Sequence, residues 1–297
     1  MTPSLIYGDT GVGKSTLAAT LARHIFATTG KKTRVYVQDP PTMAEGSLFG
    51  ALHSHGVVEF VDMTMKQKGW NIMEVIQLAA KGWVPVNNVW HPPTDNDKFG
   101  LWVFEGATAF GEWILEDLRE KRANGMNYGG PESSIKPFSI TDDNKDTTKR
   151  VAGNQLTDYS ISQDQICKAV DMSGKLPSHV LWTALETSAS EKEGEKAIKK
   201  RIMHGPMVAG SAKATVLPKK FAHTFSIQLM PTGKDGKRVR RVHLQPWFDS
   251  DNPGIPHIAI VRALPTAKLP PYFEGFGSKP DLGEIYEAIK LASEEEV

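Results

Sequence analysis

Residues 8–15 read Gly-Asp-Thr-Gly-Val-Gly-Lys-Ser, a match without deviation to the pattern G-x-x-x-x-G-K-[ST]. The glycines permit a tight turn in which successive backbone N–H groups converge on an anion. That turn works only where a strand enters the loop and a helix leaves it. Both flanks comply. Ser4-Leu5-Ile6-Tyr7 is a short apolar run, and Leu17, Leu21 and Ile25, with Ala18, Ala22 and Phe26, recur at helical spacing. Residues 33–37 then read as a second strand, halted by Asp39-Pro40-Pro41. Strand, helix and strand in that order predict an α/β fold with a mostly parallel central sheet.

The loop predicts chemistry as well as fold. Gly8, Asp9, Thr10, Gly11, Val12, Gly13, Lys14, Ser15 and Thr16 are the candidate nucleotide-binding residues. Lys14 is placed to reach the β- and γ-phosphates of ATP, and the Ser15 hydroxyl to complete a Mg²⁺ shell. Such a site needs a carboxylate at the end of an apolar strand to hold the metal through water. Leu101-Trp102-Val103-Phe104-Glu105 has that form, with Glu in place of the usual Asp. A second carboxylate should polarise the attacking water. Asp39, closing the strand after the loop's helix, is the first candidate and Glu45 the second. Thr183 and Glu186 end another apolar strand, 179–186, from which a polar side chain can sense the γ-phosphate.

Further along, the pattern predicts a strand at 57–63, a helix at 71–81, a strand at 101–104 and amphipathic helices at 110–122 and 160–172. Between the last two, 123–158 is rich in Gly, Asn, Ser, Asp and Pro, too long for an ordinary connection, and is expected to be a mobile loop insertion. Runs at 221–230 and 238–244 flank an Asp-Gly turn and predict a β-hairpin; a last strand is expected at 257–263. These boundaries give a core over 1–264, followed by an extended segment and an acidic C-terminal helix and tail over 265–297. His204, His223 and His243 show no spacing that suggests a metal site, and Cys167, the only cysteine, excludes a disulfide or a cysteine-ligated cluster.

A net charge of +1 conceals segregation. Between Lys196 and Arg241 stand twelve Lys/Arg and one acid, Asp235, whereas seven acids face two lysines from Pro270 to Val297. A basic stretch of this kind gains affinity for a phosphate backbone by counterion release. Lys199, Lys200, Arg201, Arg238, Arg240 and Arg241 are the candidate DNA-binding residues, with solvation or pairing to the acidic tail as the other reading. Lys219, Lys220 and Arg238 are candidates for a cation donated to a neighbouring subunit's nucleotide. The opening residues lack the charged and long apolar regions of a signal peptide, and no stretch has the length of a membrane span, so a cytoplasmic location is expected.

Several segments in order carry a resemblance. They are the loop 8–16 at the head of the chain, Glu105 with Gly106-Ala107-Thr108 after it, and Asp158-Tyr159 before a helix. Leu176-Pro177-Ser178-His179-Val180 then leads into Thr183-Ala184-Leu185-Glu186, and Gly205-Pro206 with Gly210 precedes Leu217-Pro218-Lys219-Lys220-Phe221. In these the chain resembles phage-encoded RecA-like P-loop ATPases, including short RecA-core proteins of single-strand annealing and recombination. The resemblance implies a RecA-like core with helices on both faces of the sheet and ATP bound between subunits of a ring or filament. It also implies single-stranded DNA as partner, with a single-strand binding protein as a possible second. By position, Lys14, Asp39 and Glu105 would be catalytic, and Ser15 and Glu105 would hold the metal. Glu105 and Asp39 depart from the usual Asp and Glu, which leaves a nucleotide-switched assembly or scaffolding module with little turnover as the alternative.

Overall fold

In the computed structural model, β1 (Ser4–Gly8) enters the phosphate loop and α1 (Lys14–Thr29) leaves it. Residues 3–38, 40–63, 71–87, 89–123, 156–193, 198–208, 216–232, 237–249, 252–262, 269–275 and 279–294 are described. The chain continues through β2 (Lys32–Val37), the short helices α2 (Pro40–Met43) and α3 (Leu48–Ser54), β3 (Val58–Asp62) and α4 (Ile72–Ala80). A hairpin of β4 (Val84–Val86) and β5 (Val89–His91) stands apart from the main sheet. Then come β6 (Phe99–Glu105), α5 (Ala107–Ala123), α6 (Leu156–Ser173), β7 (His179–Glu193) and β8 (Ile198–Pro206). The remaining elements are β9 (His223–Thr232), β10 (Lys237–His243), β11 (Trp247–Asp249), β12 (Asn252–His257), β13 (Ile260–Val261), β14 (Tyr272–Gly275) and α7 (Leu282–Glu294).

Six strands run parallel in the order β3, β2, β6, β7, β1, β9. Beyond β9 the sheet turns antiparallel through β10 and β14, and the far half of β7 pairs antiparallel with β8. One strand, β7, separates the phosphate-loop strand from the strand that ends in Glu105. The predicted hairpin therefore forms, but as a continuation of the central sheet, because β9 pairs directly with β1. The strand expected over 257–263 divides: β12 joins β8, while β13 joins β9.

Side chains alternate across the sheet with a period of two, and both faces are apolar. Tyr36, Trp102, Phe104 and Trp182 pack under α4, α5 and α6. Val35, Leu101, Val103 and Leu181 face α1, α3 and α7 on the other side. Helices thus cover both faces, as expected of a RecA-like core. Cross-strand register stacks the aromatic residues: Tyr36 lies opposite Phe104 and Phe104 opposite Trp182, with ring centroids 5.0 and 4.4 Å apart. The buried indole N–H of Trp182 is satisfied by Ser173 Oγ at 3.0 Å.

The helix predicted at the C-terminus packs on the core layer. Leu282, Ile285, Ile289 and Ala292 are buried with residues of α1, the Leu282 N–H donates to Thr20 Oγ1 at 2.9 Å, and Arg23 pairs with Asp281 at 2.7 Å. At the 123–158 insertion, α5 extends to Ala123 and α6 begins at Leu156, so Asp158 is a buried helical residue; 124–155 lie outside the described residues.

Candidate functional site

Gly13 caps α1 in the left-handed region, with φ 101° and ψ 31°, where a side chain is strained. A Cβ there would also collide with the Arg240 guanidinium. With glycine as cap, the cap residue offers no side chain to the first-turn N–H groups of α1, and no acid occupies that turn. Donors and the positive end of the helix are left together, the arrangement that attracts an anion. A cavity of about 540 Å³ opens beside them, lined among others by Gly11, Lys14, Ser15, Thr16, Glu105 and Thr183. Lys14 Nζ donates to the carbonyls of Gly8 and Asp9 at 3.1 and 2.7 Å, which holds its ammonium on the loop.

Glu105 ends β6 at 4% exposure, and its Oε1 accepts a hydrogen bond from Ser15 Oγ at 2.5 Å. The two groups expected to share a metal are therefore in contact. After β6 the backbone turns at Gly106, φ 94°, whose N–H donates to Thr183 Oγ1 at 2.8 Å. Thr108 Oγ1 then accepts from the Leu185 N–H at 2.9 Å and donates to the Met207 carbonyl at 2.6 Å. These bonds fix the ends of β6 and β7 against each other and set Thr183 and Leu185 on the cavity wall.

Two carboxylates, Asp39 and Glu45, are the candidates to polarise the attacking water. Asp39 lies outside the described residues, and Glu45 is exposed in the turn between α2 and α3, away from the cavity lining. Glu112 of α5 lines the cavity, with Gln38 and Thr42. Its signal in the sequence was spacing: seven residues after Glu105, it falls about one and a half turns into the helix that the Glu105 strand feeds.

The three arginines of β10 separate in the structure. Arg240 Nε donates to the Val12 carbonyl at 3.0 Å, and Arg240 lines the cavity beside the phosphate loop. Arg241 pairs with Glu274 at 2.7 Å and stacks 4.2 Å over the Tyr272 ring. Arg238 is exposed. Lys220 is bound to Asp171 at 2.6 Å, which raises its pKa above the ordinary lysine value. Lys199, Lys200 and Arg201 fall on β8, and their side chains lie outside what is described. Glu186, expected at the phosphate end of β7, faces a second cavity and stands against His204 and His257. That corrects the expectation that His204 has no partner for a metal site: His257 and Glu186 reach it through strand pairing rather than sequence spacing.

A family model described as RNA helicase matches residues 4–88, from β1 through the β4 strand. No curated protein matches the chain. Similar solved structures include a KaiC-like protein from the hyperthermophilic archaeon Pyrococcus horikoshii OT3, at 11% identity and TM-score 0.41, covering 82% of this chain and 77% of that one. Another is the flagellar accessory protein FlaH from Methanocaldococcus jannaschii, at 10% identity and TM-score 0.46, covering 95% of this chain and 87% of the other.

Proposed function

We propose that this chain binds ATP with Mg²⁺, hydrolyses it, and acts on single-stranded DNA as an oligomer in a phage recombination, annealing or replication process. The observation that carries the nucleotide reading is the Ser15–Glu105 contact at the uncapped start of α1. Ser15 would ligate Mg²⁺ directly and Glu105 would hold it through water, so the ion would neutralise charge on the β- and γ-phosphates. Lys14 and the first-turn N–H groups would bind the phosphates, and Arg240, bonded to the loop, adds a cation in the same subunit. Glu112, on the same cavity wall, would orient water. The nucleic-acid part is supported by the basic stretch, by exposed Arg238, and by the RNA helicase family model over the loop-bearing segment.

The departure at Glu105 favours one second reading, a nucleotide-switched assembly module with slow turnover. Phosphate release separates the two. Under the first reading it is Mg²⁺-dependent and rises when single-stranded DNA is added; single-stranded RNA and duplex DNA form the comparison arms. ATP binding with no stimulation by any nucleic acid would reject the DNA reading and favour the switch. Absence of Mg²⁺-dependent ATP binding would reject both.

A further inference from the structure

Glu186, His204 and His257 come from three neighbouring strands. The β7–β8 pairing sets Ser188 opposite His204, and the parallel β8–β12 pairing sets His257 opposite His204. Glu186, two residues before Ser188, shares its face of β7. Glu186 Oε1 consequently lies 3.3 Å from His204 Nδ1 and 3.2 Å from His257 Nδ1, and all three side chains are largely buried. Donor atoms around a tetrahedral ion, each about 2.0–2.2 Å from it, are separated by roughly 3.4 Å. The carboxylate-to-imidazole spacings here match that edge.

His257 supplies a second, independent observation. The residue is 5% exposed; its Nε2 has no hydrogen-bond partner, and its Nδ1 faces Glu186 Oε1 at 3.2 Å without making a hydrogen bond. Leaving such groups unsatisfied is costly, and coordination of one nitrogen would satisfy it. Its ring is clamped between His204, at a centroid distance of 4.2 Å, and Trp247, at 3.7 Å. The two imidazoles are within 7° of parallel, so their lone pairs run in parallel planes, and convergence on one ion requires the more exposed His204 ring to swing off the stack.

We propose that Glu186, His204 and His257 bind a first-row transition-metal dication of the Zn²⁺ class at a site separate from the Mg²⁺ position beside the phosphate loop. Two imidazoles and one carboxylate suit such an ion and disfavour Mg²⁺ or Ca²⁺, which take oxygen ligands. Three protein ligands leave a fourth position for water from the adjoining cavity of about 600 Å³, which Asp9, Thr10 and Arg238 also line. The ion would tie β7, β8 and β12 together one residue beyond Leu185, where β7 leaves the nucleotide cavity.

The test uses tag-free full-length protein, stripped with a chelator and titrated with Zn²⁺ against a chromogenic chelator. One equivalent should bind, and millimolar Mg²⁺ should not compete. Glu186→Gln and His204→Ala should each weaken binding roughly tenfold or more, as ligand loss costs at least what loss of an outer-shell partner does. Co²⁺ in its place should give visible absorption that His204→Ala removes. His257 is too deeply stacked for its truncation to be a clean test, so circular dichroism qualifies the other two variants; Zn²⁺-dependent elevation of the parent's melting midpoint supplies a readout that needs no variant. Failure of the parent to bind one equivalent, or undiminished affinity in a folded variant, overturns the proposal.

Discussion

Lys14, Ser15 and Glu105 meet across a loop and a strand end, and each has a separable role. Under the proposed function Lys14→Ala would remove a point charge from bound phosphates, and the two loop carbonyls to which Lys14 donates would take water in its place, so the fold should survive and turnover should fall roughly 10²-fold or more. Melting curves and phosphate release measure the two. Glu105→Gln keeps the shape but removes the charge that, under the proposed function, would act through Mg²⁺, and should reduce turnover more than nucleotide affinity. Equal losses in both quantities would make Glu105 a packing residue of the Ser15 hydroxyl. These residues were legible in sequence because the motif is contiguous and Glu105 closes an unbroken apolar run. Glu112 was overlooked because an exposed acid on an amphipathic helix looks like every other solvated position until the helix is aimed.

At the scale of the element, β10 presents neighbouring arginines to different surroundings. Arg240→Ala should weaken nucleotide binding or turnover, since its guanidinium sits on the Val12 carbonyl and lines the cavity, whereas Arg241→Ala, which loses Glu274 and Tyr272, should leave both unchanged. Nucleotide titrations of the two variants make the comparison. A run of basic residues reads as one surface in sequence, but a strand's period of two and its edge partners distribute it. The C-terminal helix is the second case. Ile285 is fully buried between α7 and the core layer, so Ile285→Ala should cost about 2–5 kcal/mol of unfolding free energy by urea titration. A loss under ~0.5 kcal/mol would mean that α7 is detachable.

For the whole molecule, acid sensitivity follows from burial. His223 sits on β9 near Phe225 and Tyr286, with its pKa lowered from 6.5 to about 4, first by burial and then by the charge of Arg262. The unfolded chain takes up a proton there below about 6.5 while the folded chain resists until about 4. Stability should therefore decline as pH falls through that window and gain no further loss from this group below it. Urea midpoints between pH 7 and pH 4 check the slope, and His223→Gln should flatten it. An unaltered slope in that variant would place the acid sensitivity elsewhere.

What the sequence determined by itself was whatever adjacent residues or a repeating period encode: the phosphate loop, the strands and helices around it, and the apolar strand ending in Glu105. Local geometry and hydrophobic periodicity act over a few residues, so they survive without knowledge of the neighbours. Tertiary structure alone decided which strands pair. It placed β7 between β1 and β6, extended the sheet through β9 and β10 to bring Arg240 onto the loop, and joined β8 to β12 so that His204 meets His257. Strand order is set by long-range packing and register, where a shift of one residue reverses every side chain, and no single stretch of sequence carries that information.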